Sequence, residues 1–471
     1  MADDQQTNAA PPPAEHRRFG YWVGHFVVVG SMIGAGILTT SGTLLRDTGN
    51  PLALLALWAL GGALGLCGAL AVAELATALP RSGGDYVFVR AAFGRGAGFV
   101  SGWATFALGF AAPTAVVAHL ALKYLTAPYA ADLAEFLPPW IAAHVIPLGA
   151  TLLIITVGVI HTLGHRHSSG LQALATAVTA AVLLAVALGG VLFGRGDWNY
   201  LSAGAWPGAQ QWPLLAGGLV YVSYSYAGWN GAGYLAGEIR DPARTLPRCL
   251  VGGTLSVTAL YLLVNLAFVY ALDPEEMTAR SKDEVQPVAE LAVRALFGST
   301  AASVVAVALG LCLVATVSAF VLTGPRVAFA MARDGAFPAF AGRLHATRLT
   351  PVPATLTLAL AAAALVWAGS FLELLDYASV GLAALTGLTV ASVFPLRRRT
   401  DLPHPYRMPL YPVPPLAFLV LTALTIGSAL VDEGRRVPGL LSLATLLVGV
   451  PLSRLIPNGT GLAEPSAGSP K

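Results

Sequence analysis

Residues 19–45 read FGYWVGHFVVVGSMIGAGILTTSGTLL, 27 residues without an Asp, Glu, Lys or Arg. A helix needs about 20 apolar residues to cross the hydrocarbon core of a bilayer, so this stretch reads as a membrane span. Its middle is unusual: Gly30, Gly34 and Gly36 fall within seven residues. Glycines in membrane helices often serve close packing. A cluster this dense at mid-span reads instead as a break, which lipid tolerates only inside a bundle or beside a cavity, because unpaired backbone groups are costly there.

Eleven further charge-free stretches follow, at 48–73, 96–122, 136–165, 167–194, 198–237, 249–272, 295–325, 349–372, 377–396, 408–431 and 437–453. The 40-residue run 198–237 must hold a re-entrant loop or an interrupted helix, and 437–453 sits at the lower length limit for a span. The composition agrees: 56% of the 471 residues are hydrophobic and 11% charged, against about 25% charged in a soluble domain. The expected fold is therefore an all-α polytopic membrane protein of twelve transmembrane helices. Its domain plan is a disordered tail over 1–18, one membrane domain over 19–455 and a second tail over 456–471. Helices 1 to 5 occupy about 19–194, helices 6 to 10 about 211–396, and helices 11 and 12 about 408–453.

With the N-terminus inside, 19 of the 27 Lys and Arg residues fall in cytoplasmic segments, which places both termini in the cytoplasm of a cell whose plasma (inner) membrane the chain crosses repeatedly. The polar, Pro-rich start MADDQQTNAAPPPAEHRR does not read as a cleaved signal peptide. Net charge is only +3 and the basic residues are scattered, so no nucleic-acid patch exists. Cys67, Cys249 and Cys312 lack ligand or disulfide spacing and read as small core residues. No metal, cofactor or obligate protein partner is indicated.

The sixth stretch carries a second break signal, Ser223-Tyr224-Ser225-Tyr226-Ala227-Gly228-Trp229-Asn230-Gly231-Ala232-Gly233. Spans one and six are five apart, as two five-helix repeats each opening with a discontinuous helix would place them, and paired interruptions point to a transporter's binding site. The start of an outer half-helix offers free N–H groups and a positive dipole end, and the end of an inner half-helix offers free carbonyls. A carboxylate and an ammonium on one carbon match both, with no charged side chain in either span. Amino acids fit, while polyamines, organic cations and carboxylates stay open.

The motifs GSMIGAGIL (30–38), AELATALPRSGGDYVFVRAAFG (73–94), YSYAGWNGAGYLAGEIRDPARTLPR (224–248), LTGPRVAFAMARDGAFP (322–338) and LPHPYRMPLYP (402–412) resemble bacterial amino acid permeases of the amino acid/polyamine/organocation (APC) superfamily, in the branch related to the L-type transporters. The resemblance spans about residues 19 to 455. It implies twelve helices and a five-plus-five inverted repeat of the leucine-transporter type. It also implies that the substrate carboxylate sits on the amides of Gly34, Ala35 and Gly36. The ammonium would face carbonyls of Met32, Ile33, Tyr224 and Ala227, with Tyr224, where relatives often have Phe, as an aromatic lid. Trp229 and Asn230 match the family's GWN and would support the unwound turn. Several relatives carry a Lys in helix five, where this chain has Thr179, so sodium coupling near Thr179, Thr316 and Ser318, or exchange without an ion, are the alternatives.

Other polar groups read more plainly. His25 could relay protons or simply hydrogen-bond at the inner mouth, and the latter is favoured. Glu74 and Glu238 read as gate or loop salt-bridge residues. His161, His165 and His167 form a loop pattern and not a metal site. A membrane-embedded enzyme would need GxSxG, HExxH or paired intramembrane carboxylates, and a channel would need polar rings along a pore; neither is present.

Overall fold

The computed structural model describes residues 17, 19–163, 168–194, 196–208, 212–278, 288–345 and 350–455. Among them the architecture is helical throughout, with one isolated bridge between Phe19 and Ile239. The first span is two helices, α1 (Tyr21–Met32) and α2 (Ala35–Thr48), bent by 42°. Ile33 is extended at φ −72°, ψ 107°, so the hydrogen-bond ladder stops there. Gly49, at φ 62°, ends α2, and Asn50 then caps α3 (Pro51–Ala78), its side chain accepting from the Ala53 amide at 2.9 Å. Asn at the cap and Pro at the first helical position are the local signals that place this corner.

After α4 (Asp85–Phe93), the third span runs through α5 (Arg95–Ala104), a π-helical turn at Thr105–Ala111 and α6 (Ala112–Thr126). Next come α7 (Val145–Thr162), α8 (Ser168–Phe193) and α9 (Trp212–Tyr226). A turn and a 3-10 helix, Gly231–Glu238, separate α9 from α10 (Pro242–Ala271). The remainder comprises α11 (Val288–Phe297), α12 (Ser299–Thr323), α13 (Pro325–Arg333), α14 (Val352–Leu365), α15 (Phe371–Ala391), α16 (Val413–Val431) and α17 (Glu433–Leu455). In the packed bundle α3 and α1 lie along α10, and α6 lies along α12.

Nine helical runs among the described residues are long and apolar enough to cross a membrane, or ten when α1 and α2 count as one bent span. Two of the twelve charge-free stretches hold an α-helix shorter than a span needs. In 198–237 the α-helix occupies only the 15 residues of α9, because Gly228 turns the chain at φ 109°. In 349–372 the 14-residue α14 begins after Pro351 and stops before Ser370, whose capping box with Glu373 starts α15. The stretch 136–165 also yields less helix than its length: α7 begins at Val145, after Pro138 and Pro139 have interrupted the chain. Absence of charge marks where a span can be, and prolines and caps decide where it is.

Both ends of the bundle carry polar ties. At one end, Arg90 pairs with Asp334, which also accepts from the Tyr86 hydroxyl at 2.8 Å, and buried Glu74 takes Arg397 at 3.0 Å and the Met408 amide at 2.8 Å. At the other end Arg435 of α17 reaches Asp47 at 3.6 Å and the Gly217 carbonyl at 2.7 Å, with its guanidinium 4.4 Å from the Tyr221 ring centre.

Candidate substrate cavity

The two breaks meet at one cavity of about 80 Å³. Gly34, Ala35 and Gly36 line it from the start of α2, and Tyr224 and Ala227 from the end of α9. The first amides of a helix have no partner within it, and Gly34 supplies no side-chain cap. These amides therefore begin a helix beside an open space, which is an anion-binding arrangement.

Close approach holds the breaks together. A Cβ on Gly36 would overlap Oγ of Ser225 and stand 2.7 Å from its Cα. A Cβ on Gly228 would overlap the Ser31 carbonyl oxygen, and its φ of 109° disfavours any side chain. The fully buried Tyr261 of α10 supplies the cross-tie: its hydroxyl lies 2.7 Å from the Met32 carbonyl and 3.0 Å from the Ser225 carbonyl, one from each break. Tyr261→Phe removes the one O–H that these two buried carbonyls share, at an expected cost of about 1–3 kcal/mol. A lowered melting temperature of the purified protein, with weakened uptake, is the result to look for.

The residues expected at the site divide. Met32 lines the cavity, whereas Ile33 stands behind it, its carbonyl 3.3 Å from the Thr316 hydroxyl. Trp229 borders a neighbouring cavity of about 30 Å³ and meets Phe418 edge-on at 5.5 Å. Thr179 and Thr316 come close to a common neighbour, Cys312: Thr179 bonds its side chain and Thr316 lies 3.3 Å from its carbonyl. Ser318 is on another face of α12, bonded at 2.9 Å to Nε2 of His161. The structure thus brings Thr179 and Thr316 together and leaves Ser318 apart from them.

His25 is bonded through Nδ1 to the Tyr21 hydroxyl at 3.2 Å and packed among Trp22 and Phe26. His165 and His167 lie outside the described residues. Glu238 closes the 3-10 helix, and its carbonyl accepts the Phe19 amide at 2.9 Å. The three cysteines are free, and no cluster of three or more metal-ligating side chains occurs among the described residues.

Sequence reading missed four participants. Phe110 reaches the cavity from the π-helical turn, an irregularity often found at functional sites that no residue type in TFALGFA announces. Tyr261 looks like any aromatic of an apolar helix. Asp85 and Tyr234 line the cavity and bond each other at 2.7 Å. An acid directly after Gly83-Gly84, at the mouth of the third span, was the available signal for Asp85.

The model of one family, "Amino acid permease", matches residues 19–450. Asc-type amino acid transporter 1 of Mus musculus is 28% identical over 435 residues, covering 90% of this chain and 78% of its own. Large neutral amino acids transporter small subunit 2 of Homo sapiens has the same identity and coverage. The serine/threonine exchanger SteT of Bacillus subtilis is 27% identical over 416 residues, covering 86% of this chain and 90% of its own. A match over nearly the whole bundle, with two helix breaks meeting at one cavity, shows that this chain belongs to the amino acid permease family.

Proposed function

We propose that the protein is a secondary active transporter or exchanger of amino acids that works by alternating access across a plasma membrane, with both termini cytoplasmic. In this reading twelve spans include a five-plus-five inverted repeat, α1–α2 opens the first half and α9 with its 3-10 continuation opens the second. The carboxylate rests on the amides of Gly34, Ala35 and Gly36, and the ammonium on the carbonyls of the breaks. One observation carries this reading: an uncapped helix start and an interrupted helix end line one small cavity. Chemistry without reaction machinery fits a carrier better than an enzyme, and relatives named as transporters and an exchanger point the same way. A polyamine or organic-cation antiporter remains the second reading, favoured by the carboxylate of Asp85 in the cavity wall.

Sodium is not needed on this reading. The Thr316 hydroxyl is engaged with the carbonyls of Ile33 and Cys312, and Ser318 faces His161, so one of the three side chains expected at a sodium site stands apart from the other two. The test is counterflow in proteoliposomes preloaded with neutral amino acids. Labelled substrate should accumulate in a saturable manner, at an unchanged rate when choline replaces sodium. Single-channel current without counterflow would overturn the carrier, and a severalfold fall in choline would establish a sodium site.

A further inference from the structure

Where α1 and α10 begin, the surface holds an open groove of about 620 Å³, separate from the two cavities beside the breaks. Among the described residues Tyr21, Pro247, Arg248, Val251, Gly252 and Tyr406 line it, and none of these is an acid. Three elements meet here. The bridge between Phe19 and Ile239 sets α1 and α10 off side by side: the Phe19 amide donates to the Glu238 carbonyl at 2.9 Å, and the Arg240 amide to the Phe19 carbonyl at 2.8 Å. Gly252 lets the two helices approach, since a Cβ there would stand 3.1 Å from the Tyr21 hydroxyl. Tyr406 comes from the segment between α15 and α16.

Arg248 is exposed and directly precedes the charge-free run 249–272. In a membrane-spanning bundle that places it at headgroup depth, where Lys and Arg collect. The basic residues before it are engaged: Arg244 lies 4.0 Å from Asp241, and Nε of Arg240 donates to the Arg17 carbonyl at 3.3 Å. Among the described residues no ion pair or hydrogen bond engages the Arg248 guanidinium. Val251 and Gly252 floor the groove, and Leu255 and Ala259 carry the same exposed face of α10 onward, one turn after another. Trp22, next to Tyr21 on α1, is 66% exposed, and Trp and Tyr favour the boundary between membrane and water. A cation at the rim, tyrosines beside it and an apolar floor leading away match a molecule with an anion at one end and hydrocarbon at the other.

We infer that this groove binds an anionic phospholipid of the bilayer, with its phosphate on Arg248 and an acyl chain along Val251, Gly252 and Leu255. A free phosphate would make no use of the apolar floor, and a single exposed arginine holds a small anion weakly in water. A lipid is supplied by the bilayer itself, and basic residues at its surface favour the anionic kind. The position gives the lipid an effect. Because the ladder of the first span stops at Ile33, α1 is joined to α2 only through the break, and a lipid seated between α1 and α10 holds that half-span against the bundle. The inference needs the membrane-spanning bundle and is independent of what the protein transports.

The test is the melting temperature of the full-length protein in detergent, stripped of lipid and titrated with phosphatidylglycerol or with phosphatidylcholine of identical chains. A ligand of the folded state raises that temperature by mass action. Phosphatidylglycerol should act at the lower concentration. Arg248→Gln should raise its half-saturating concentration about tenfold, as loss of a charge-assisted hydrogen bond predicts, and leave the phosphatidylcholine titration unchanged. Arg244→Gln, outside the groove, should change neither. Should Arg248→Gln fail to fold, Val251→Phe decides: it fills the floor with the charge kept, and should raise the half-saturating phosphatidylglycerol concentration severalfold. Equal response to the two lipids, an unaltered phosphatidylglycerol titration in Arg248→Gln or Val251→Phe, or the same shift from inorganic phosphate alone would each overturn the proposal. No response to either lipid would leave the groove to a protein segment and overturn it too.

Discussion

Gly36→Val is expected to abolish uptake. Two effects converge at this position. The new Cβ would overlap Oγ of Ser225 and press on its backbone, so α2 and α9 must part; forced overpacking of this kind costs about 1–3 kcal/mol or more. The amides proposed to hold the carboxylate move with α2. Gly34→Ala provides the contrast, because the nearest atom to its added methyl is Cγ2 of Val117 at 3.9 Å. That variant should fold normally and bind substrate more weakly, since the methyl enters the cavity lining. Uptake by reconstituted protein, with size-exclusion profiles of both variants, is the measurement. Normal uptake by Gly36→Val would reject the assigned site.

The second large effect concerns the ligand. Amino acid methyl esters and decarboxylated amines lack the anion that the start of α2 is proposed to bind. Hydrogen bonds to a charged group contribute about 1.5–3 kcal/mol, so competition should weaken by about 100-fold relative to the parent amino acid. Inhibition of labelled uptake across matched acid, ester and amine series checks this. An amine that competes as well as the best amino acid would transfer the protein to the polyamine reading.

Much of this architecture was legible in the chain. The glycine cluster at 30–36 and the polar run at 223–233 located both breaks, since in lipid a helix interrupts only where the surroundings pay back its unpaired backbone groups. The ends of helices were less legible: Pro138 and Pro139 come before α7, and Ser370 caps α15 and so shortens α14, although none of these three residues carries a charge. At the site, the family resemblance pointed to Gly34, Ala35, Gly36, Tyr224 and Ala227, and all five line the cavity because they flank the breaks themselves. It could not rank Ile33 against Met32, or separate Ser318 from Thr316, because which face of a helix meets a partner depends on packing between distant elements. For the same reason Tyr261 was invisible: its hydroxyl acts on carbonyls 229 and 36 residues away in the sequence.

The Tyr261 cross-tie and the uncapped start of α2 share a property with an evolutionary consequence. Both act on peptide groups, which every residue type possesses. Under the proposed function, the part of the ligand common to all amino acids is read by atoms that substitution does not remove, so ordinary mutation can displace that recognition only by moving the chain. The part that differs among amino acids faces replaceable side chains such as Phe110, Val117, Phe320 and Leu382, on elements outside the two breaks. Divergence in this scaffold should therefore change which side chain is accepted long before it changes the requirement for an amino acid.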